Sequence, residues 1–183
     1  MIDWKDEEPD IVIYEFTNFD FFKINIQKEQ LESFIKNHYK IFFLKKEWET
    51  MWTYGQSSDK ELGGLLVGYI FSYEENWIRI IDQIVVSDDY VHSTTHLILY
   101  PSLWQKTNQM LKESNPNSSK SIIGWFHTHP NFSPFFSLQD KKTQENFFRE
   151  SYSIGIVLDP FSKNYCVYET KDSILYHKPI III

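Results

Sequence analysis

The chain predicts an α/β fold, a mixed sheet layered with helices. Three observations carry this reading. Segments with helical spacing of apolar residues alternate with short apolar runs of strand length. Turn-forming residues stand at most of the changes of period. Hydrophobic residues make up 42% of the 183 positions and aromatic residues 17%, enough for one domain with a full core.

Taken in order, Phe22 to Ile26 reads as a strand, and Lys28 to His38 as a helix with Leu31, Phe34 and Ile35 on one face. Lys45 to Gln56 reads as a second helix that ends in the polar, turn-forming Gly55 to Asp59 stretch. Leu65 to Phe71 and Ile78 to Val86 form a hairpin through Ser72 to Asn76. A loop with Asp88, Asp89 and Ser93 leads to Thr95 to Tyr100. Pro101 then opens a helix to about Lys112, at a position where its missing N–H has no helical partner to lose. After the polar loop Asn115 to Lys120, Ser121 to Phe126 is a short strand. His127 to Phe136, with Pro130 and Pro134, has no regular period and reads as a loop. Ser137 to about Arg149 is a helix, and Ser153 to Leu158 and Tyr165 to Glu169 are strands joined through Asp159-Pro160. The apolar tail Ile180 to Ile183 reads as a last edge strand or a contact with a partner.

A net charge of −7 argues against a surface that tracks phosphates, so no nucleic-acid partner is expected. The one cysteine, Cys166, cannot form an internal disulfide or a cysteine zinc cluster, and reads as a buried strand residue. Met1 to Asp10 is acidic and lacks the pattern of a signal peptide. No apolar run approaches the roughly 20 residues that span a bilayer. The expectation is a cytoplasmic protein with no membrane association.

His127 and His129 are two apart at a strand end, so an extended backbone projects both imidazoles to one side. Asp140 returns to the same point if the proline-containing loop folds back. A His2Asp set leaves a fourth tetrahedral position open, the mark of a catalytic rather than a structural zinc site. Zn2+ there would lower the pKa of its water to about 7 and make that water the nucleophile. Glu61 is the candidate for taking the proton and handing it on, and the adjoining Gly63 and Gly64 allow close backbone approach. Ser137 is the candidate for donating its hydroxyl hydrogen to an oxyanion. Each residue also has a plain structural reading: Ser137-Leu-Gln-Asp140 is a capping-box pattern, His-x-His can be a polar loop pair, and Glu61 a solvated residue beside a turn. At about 1 in 20 per position, a chance match to all of these residues is rare.

The chain resembles the JAMM (MPN-plus) zinc metalloprotease family, bacterial deubiquitinase-like members in particular. The likeness rests on Glu61-Leu-Gly-Gly-Leu-Leu-Val-Gly68, Gly124-Trp-Phe-His-Thr-His-Pro130 and Ser137-Leu-Gln-Asp140, and extends to Ser93 to His96 and Asp159-Pro160. It implies an MPN domain with a cytidine-deaminase-like mixed sheet flanked by helices, over residues 21–183 after an N-terminal extension of residues 1–20. It further implies His127, His129 and Asp140 as zinc ligands, Glu61 as general base and acid, and Ser137 as oxyanion stabiliser. The implied activity is cleavage after the C-terminal glycine of a ubiquitin-like protein, in deconjugation or precursor processing. Short bacterial members often accompany E1/E2-like conjugation enzymes, including in phage defence, and those enzymes are the implied partners.

Two other functions compete: a zinc amidase acting on a small molecule or a sulfur-carrier precursor, and a non-catalytic scaffold, which the complete ligand set disfavours. The Lys45 to Asp59 stretch is longer than a minimal domain of this kind needs and reads as a surface insertion or a partner element. His92 and His96 take loop and strand-end roles, and His38 and His177 have no motif partner.

Overall fold

The computed structural model describes residues 13–16, 19, 21, 26–86, 99, 101–113, 120–169, 174–176 and 180–183. Its elements run β1 (Ile13–Glu15), α1 (Lys28–Lys36), β2 (Ile41–Phe43), α2 (Lys45–Gln56), β3 (Gly63–Tyr73), β4 (Asn76–Val86), α3 (Pro101–Glu113), β5 (Ser121–Thr128), α4 (Leu138–Phe147), β6 (Ile154–Asp159), β7 (Asn164–Glu169), β8 (Ile174–Tyr176) and β9 (Ile180–Ile182). The strands form one sheet in the order β8-β7-β6-β5-β3-β4-β2-β9, with β1 beside β3. The sheet is mixed: β3 is antiparallel to both β4 and β5, whereas β5 and β6 run parallel.

Alternation along the strands sends successive side chains to opposite faces, and helices cover both. Leu66 and Ile70 of β3 face one side with Met51 of α2. Leu65 and Val67 face the other with Leu103 of α3 and Phe148. Further along that strand Tyr69 and Phe71 pack with Leu31 and Ile35 of α1. The layered α/β architecture expected from the sequence is therefore present. No helix among the described residues is long and apolar enough to cross a membrane.

Several boundaries differ from the sequence reading. Strand β5 runs through Thr128, so His127 lies in the ladder and not in the following loop. Helix α4 stops at Phe147, before Arg149. Strand β2 went unseen because its three residues are all buried and show no alternation. Strands β1 and β8, each three residues long, gave no period either. β1 pairs with β3, so the sheet begins inside the segment read as an N-terminal extension. The Lys45 to Asp59 stretch is not a surface insertion, since Met51 on α2 is fully buried in the core. The tail is an edge strand: β9 pairs with β2, the Ile183 N–H donates to the Phe43 carbonyl, and the Lys45 N–H donates to the Ile183 carbonyl. The strand at Phe22 to Ile26 falls mostly outside the described residues, and Ile26 itself is not in a strand. The loop with Asp88, Asp89 and Ser93, almost all of Thr95 to Tyr100, most of the Asn115 to Lys120 loop, and His92, His96 and His177 also lie outside them.

Candidate metal centre and active site

Four elements converge at the C-terminal end of β5. His127 is the next-to-last residue of that strand, where it faces Val157 of β6 on one side and Gly63 of β3 on the other. His129 follows two residues later, its N–H donating to the Leu158 carbonyl at 2.9 Å, so the extended course continues past the ladder. Both side chains thus project to one side, as the spacing predicts. Their Nε2 atoms are 3.1 Å apart.

The chain then turns back. Pro130 leads into Asn131, whose φ of 61° is the left-handed conformation that asparagine tolerates. Its N–H donates to Asp159 Oδ1 at 3.1 Å, and Phe161 N–H donates to the same oxygen at 3.1 Å. Burial pushes the Asp159 carboxyl up, but hydrogen bonds from Ser162 and from the Phe161 and Asn131 N–H groups outweigh it and hold it below the usual range. An ionised Asp159 therefore ties the loop after His129 to the end of β6.

The loop delivers Ser137 as the N-cap of α4 and Asp140 as its third residue, joined in a capping box. One Asp140 oxygen, Oδ2, accepts from the Ser137 N–H, which leaves Oδ1 aimed at His127 Nε2 at 3.1 Å. Ser137 Oγ accepts from the Asp140 N–H, and its side chain also hydrogen-bonds the Asp140 carboxylate. Glu61, on the segment just before β3, brings Oε1 to 3.9 Å from His129 Nε2. The structure brings all five candidate residues to one end of the sheet.

The donor set fits a zinc ion. Ligand atoms of His127, His129 and Asp140 lie within 4.8 Å of one another, and all three residues are buried. Zn–N and Zn–O arms of 2.0–2.2 Å in tetrahedral directions place donor atoms about 3.3–3.6 Å apart; two of the three observed spacings are 3.1 Å and the third lies within 4.8 Å. Three potential ligand atoms converge in a buried site, an arrangement that suits a shared cation. Burial pushes the His129 imidazole down to about 4, with His127 adding to that and the Asp140 and Asp159 carboxylates opposing it, so His129 offers a free lone pair at neutral pH. Burial raises the Asp140 carboxyl, but hydrogen bonding and charge from His127 and hydrogen bonds from Ser137 outweigh it and hold it at about 2.

Residues that the sequence did not single out support these ligands. The Trp125 indole stacks on the His127 ring, centroids 4.7 Å apart and planes 8° from parallel, and its Nε1–H donates to Gln144 Oε1 at 2.7 Å. Gln144 in turn donates to the Phe148 carbonyl at 3.2 Å. Spacing carried both signals, because Trp125 precedes His127 by two on a strand and Gln144 follows Asp140 by four on a helix. The small size of Gly64 serves the sheet rather than a ligand: a Cβ there would lie 2.4 Å from the Val85 carbonyl oxygen. Cys166 is buried in β7, with burial pushing its thiol up to about 12. His38 closes α1 on the surface.

Comparison with known proteins bears on this geometry. The family model described as JAB1/Mov34/MPN/PAD-1 ubiquitin protease matches residues 23–151, a stretch that takes in Glu61 through Asp140. The chain is 31% identical over 101 residues to the 26S proteasome non-ATPase regulatory subunit 14 of Dictyostelium discoideum, covering 55% of this chain and 31% of that protein. It is 38% identical over 55 residues to the histone deubiquitinase MYSM1 of Branchiostoma floridae, covering 27% of this chain and 7% of that one. The chain thus spans about a third or less of these relatives' lengths. In fold it is similar to the solution structure of protein DSY2949 from Desulfitobacterium hafniense, with a TM-score of 0.56 at 19% identity over 78% of this chain and 92% of that one.

Proposed function

The chain belongs to the JAB1/Mov34/MPN/PAD-1 ubiquitin protease family, and on that footing we propose that it is a zinc-dependent isopeptidase cleaving after the C-terminal glycine of a ubiquitin-like protein. One observation carries the proposal: His127 Nε2 lies 3.1 Å from both His129 Nε2 and Asp140 Oδ1, with Glu61 at the edge of the same cluster.

His127, His129 and Asp140 would hold the metal. Zinc, when bound, supplies Lewis acidity toward water and toward the scissile carbonyl. Glu61 takes a proton from the attacking water as its oxygen adds to the carbonyl carbon, then delivers that proton to the departing nitrogen as the C–N bond breaks. The products are a carboxylate and a free amine. Ser137, fixed by its cap, donates its hydroxyl hydrogen to the oxygen that gains charge. Buried Trp125 and Gln144 hold the His127 ring plane throughout.

A protein substrate is favoured over a small amide by the rim. Phe132, Phe135 and Leu138 are exposed on the segment between His129 and Asp140, where a folded partner can cover them. E1/E2-like conjugation enzymes and a cytoplasmic setting complete the proposal.

The test measures zinc content and cleavage of a ubiquitin-like protein fused through its C-terminal glycine, in the wild type, His129→Ala and Glu61→Gln. Zinc and cleavage lost together in His129→Ala, and cleavage alone lost in Glu61→Gln, support the assignment. Zinc with no cleavage redirects the search to small amides, and cleavage retained in Glu61→Gln removes the proton carrier.

A further inference from the structure

We propose that Thr128, between the two histidines, is a positioning residue that sets where Glu61 stands, an inference that rests on Glu61 being the proton carrier of the proposed reaction.

The β3–β5 ladder pairs Gly63 with His127, and the next opposed residues are Leu62 and Thr128. The Thr128 N–H donates to the Leu62 carbonyl at 2.8 Å, as an antiparallel pair requires. In a continuing ladder the Leu62 N–H would return a bond to the Thr128 carbonyl. It donates instead to Thr128 Oγ1 at 2.9 Å. The hydroxyl replaces the backbone acceptor at the point where the strand ends, and draws the Leu62 N–H from the carbonyl toward the Thr128 side chain. Glu61 shares that peptide group. Its carboxylate then reaches to 3.9 Å from His129 Nε2.

Thr128 is itself held from behind. Its side chain points to the face opposite His127 and His129, where α2 packs. A Cβ built on Gly55 of α2 would lie 3.1 Å from Thr128 Cγ2, 3.3 Å from Pro160 Cβ and 3.4 Å from Leu158 Cδ1. A β-branched side chain has little χ1 freedom, so seating the methyl against Gly55 aims the hydroxyl at Leu62. The chain of contacts runs from α2 through Thr128 and Leu62 to Glu61. Both Thr128 and Leu62 are buried, with no bulk water to substitute for the hydroxyl.

Two substitutions separate acceptor from shape. Thr128→Val keeps the shape and removes the acceptor, whereas Thr128→Ser keeps the acceptor and gives up the methyl. In Thr128→Val the Leu62 amide should lose hydrogen-exchange protection, and the nuclear Overhauser contact between the Glu61 methylenes and the His129 ring should disappear while zinc content is unchanged. Cleavage of the ubiquitin-like fusion should lose about tenfold to a hundredfold in kcat at constant KM, the scale of a misplaced reacting group, and Thr128→Ser should restore most of it. Adding Thr128→Val to Glu61→Gln should cost nothing further. An unchanged Glu61–His129 contact in Thr128→Val overturns the inference, and so does equal impairment of the valine and serine variants. Should the wild type bind zinc but cleave no fusion, the isopeptidase reading fails by itself, and the exchange and Overhauser measurements still decide the role of Thr128.

Discussion

Ser137 and Asp140 hydrogen-bond each other reciprocally: the Ser137 N–H donates to Asp140 Oδ2 at 2.6 Å, and the Asp140 N–H donates to Ser137 Oγ at 3.1 Å. The helix cap and the candidate site are thus one piece of structure. Capping orients the Asp140 carboxylate so that its second oxygen faces His127.

Ser137→Ala should therefore show two separable effects. Loss of the cap acceptor costs about 1 kcal/mol of stability, and loss of the donor to the oxyanion lowers kcat by about a hundredfold to a thousandfold. Thermal unfolding and steady-state kinetics on the same preparation measure both. A fall in stability alone would confine Ser137 to capping.

The zinc-free protein should lose stability as pH falls from 6.5 toward 4. Burial depresses His129 from the ordinary 6.5 to about 4. Between these values the unfolded chain takes up a proton that the folded chain refuses, so stability rises with pH there by up to about 1.4 kcal/mol per unit. It is complete above 6.5 and lost as pH falls through the folded value. Denaturant titrations at several pH values test this, and His129→Gln should flatten the slope.

Much of this arrangement was legible because it is local. The two-residue spacing of His127 and His129 fixes a common side on any extended strand, and Ser-Leu-Gln-Asp fixes a cap on any helix. Of the two readings weighed for Ser137, the cap is present as read, and the capping box sets that residue beside the candidate ligands. What stayed hidden depends on contacts distant in sequence. Nothing near Asp159 shows that its carboxylate meets the Asn131 N–H, 28 positions away. Nothing in Lys45 to Gln56 shows that Gly55 seats Thr128. The three buried residues of β2 lack the alternation that would have marked a strand, and length alone made Lys45 to Asp59 look like an insertion, because nothing local shows that Met51 is buried in the core.

Gln144→Leu should be costly although Gln144 is not among the candidate ligands. It leaves the buried Trp125 Nε1–H without its acceptor, and an unsatisfied buried donor costs about 1–3 kcal/mol. With the indole free to tilt, the stacked His127 ring loses its fixed plane, and zinc affinity should fall by about tenfold to a hundredfold, as for other supports of metal ligands. Competition with a chromogenic chelator gives the affinity. Unchanged zinc affinity in a destabilised variant would reduce the Trp125–Gln144 bond to core packing.

Chelation should lower the melting temperature reversibly. Free zinc at 100 times its dissociation constant stabilises the folded state by about 2.7 kcal/mol, a shift on the order of 5–10 °C for a chain of this size. His129→Ala should abolish the zinc-dependent part and leave the zinc-free melting temperature within a few degrees of wild type. A zinc-dependent shift that survives in that variant would place the ion elsewhere.

Phe132 and Leu138 distinguish a protein substrate from a small one. They are 68% and 79% exposed, so replacing either with serine removes almost no internal packing and should leave the melting temperature unchanged. If a folded ubiquitin-like partner covers them, each substitution forfeits part of the roughly 1.5–3 kcal/mol that full burial of such a side chain provides. KM for a ubiquitin-like fusion should then rise by about fivefold to thirtyfold at constant kcat, while a short peptide amide, too small to reach the rim, should be cleaved as before. Equal KM values for wild type and both variants on the fusion would remove the apolar rim from substrate binding and bring the small-molecule amidase back as the stronger reading of the same site.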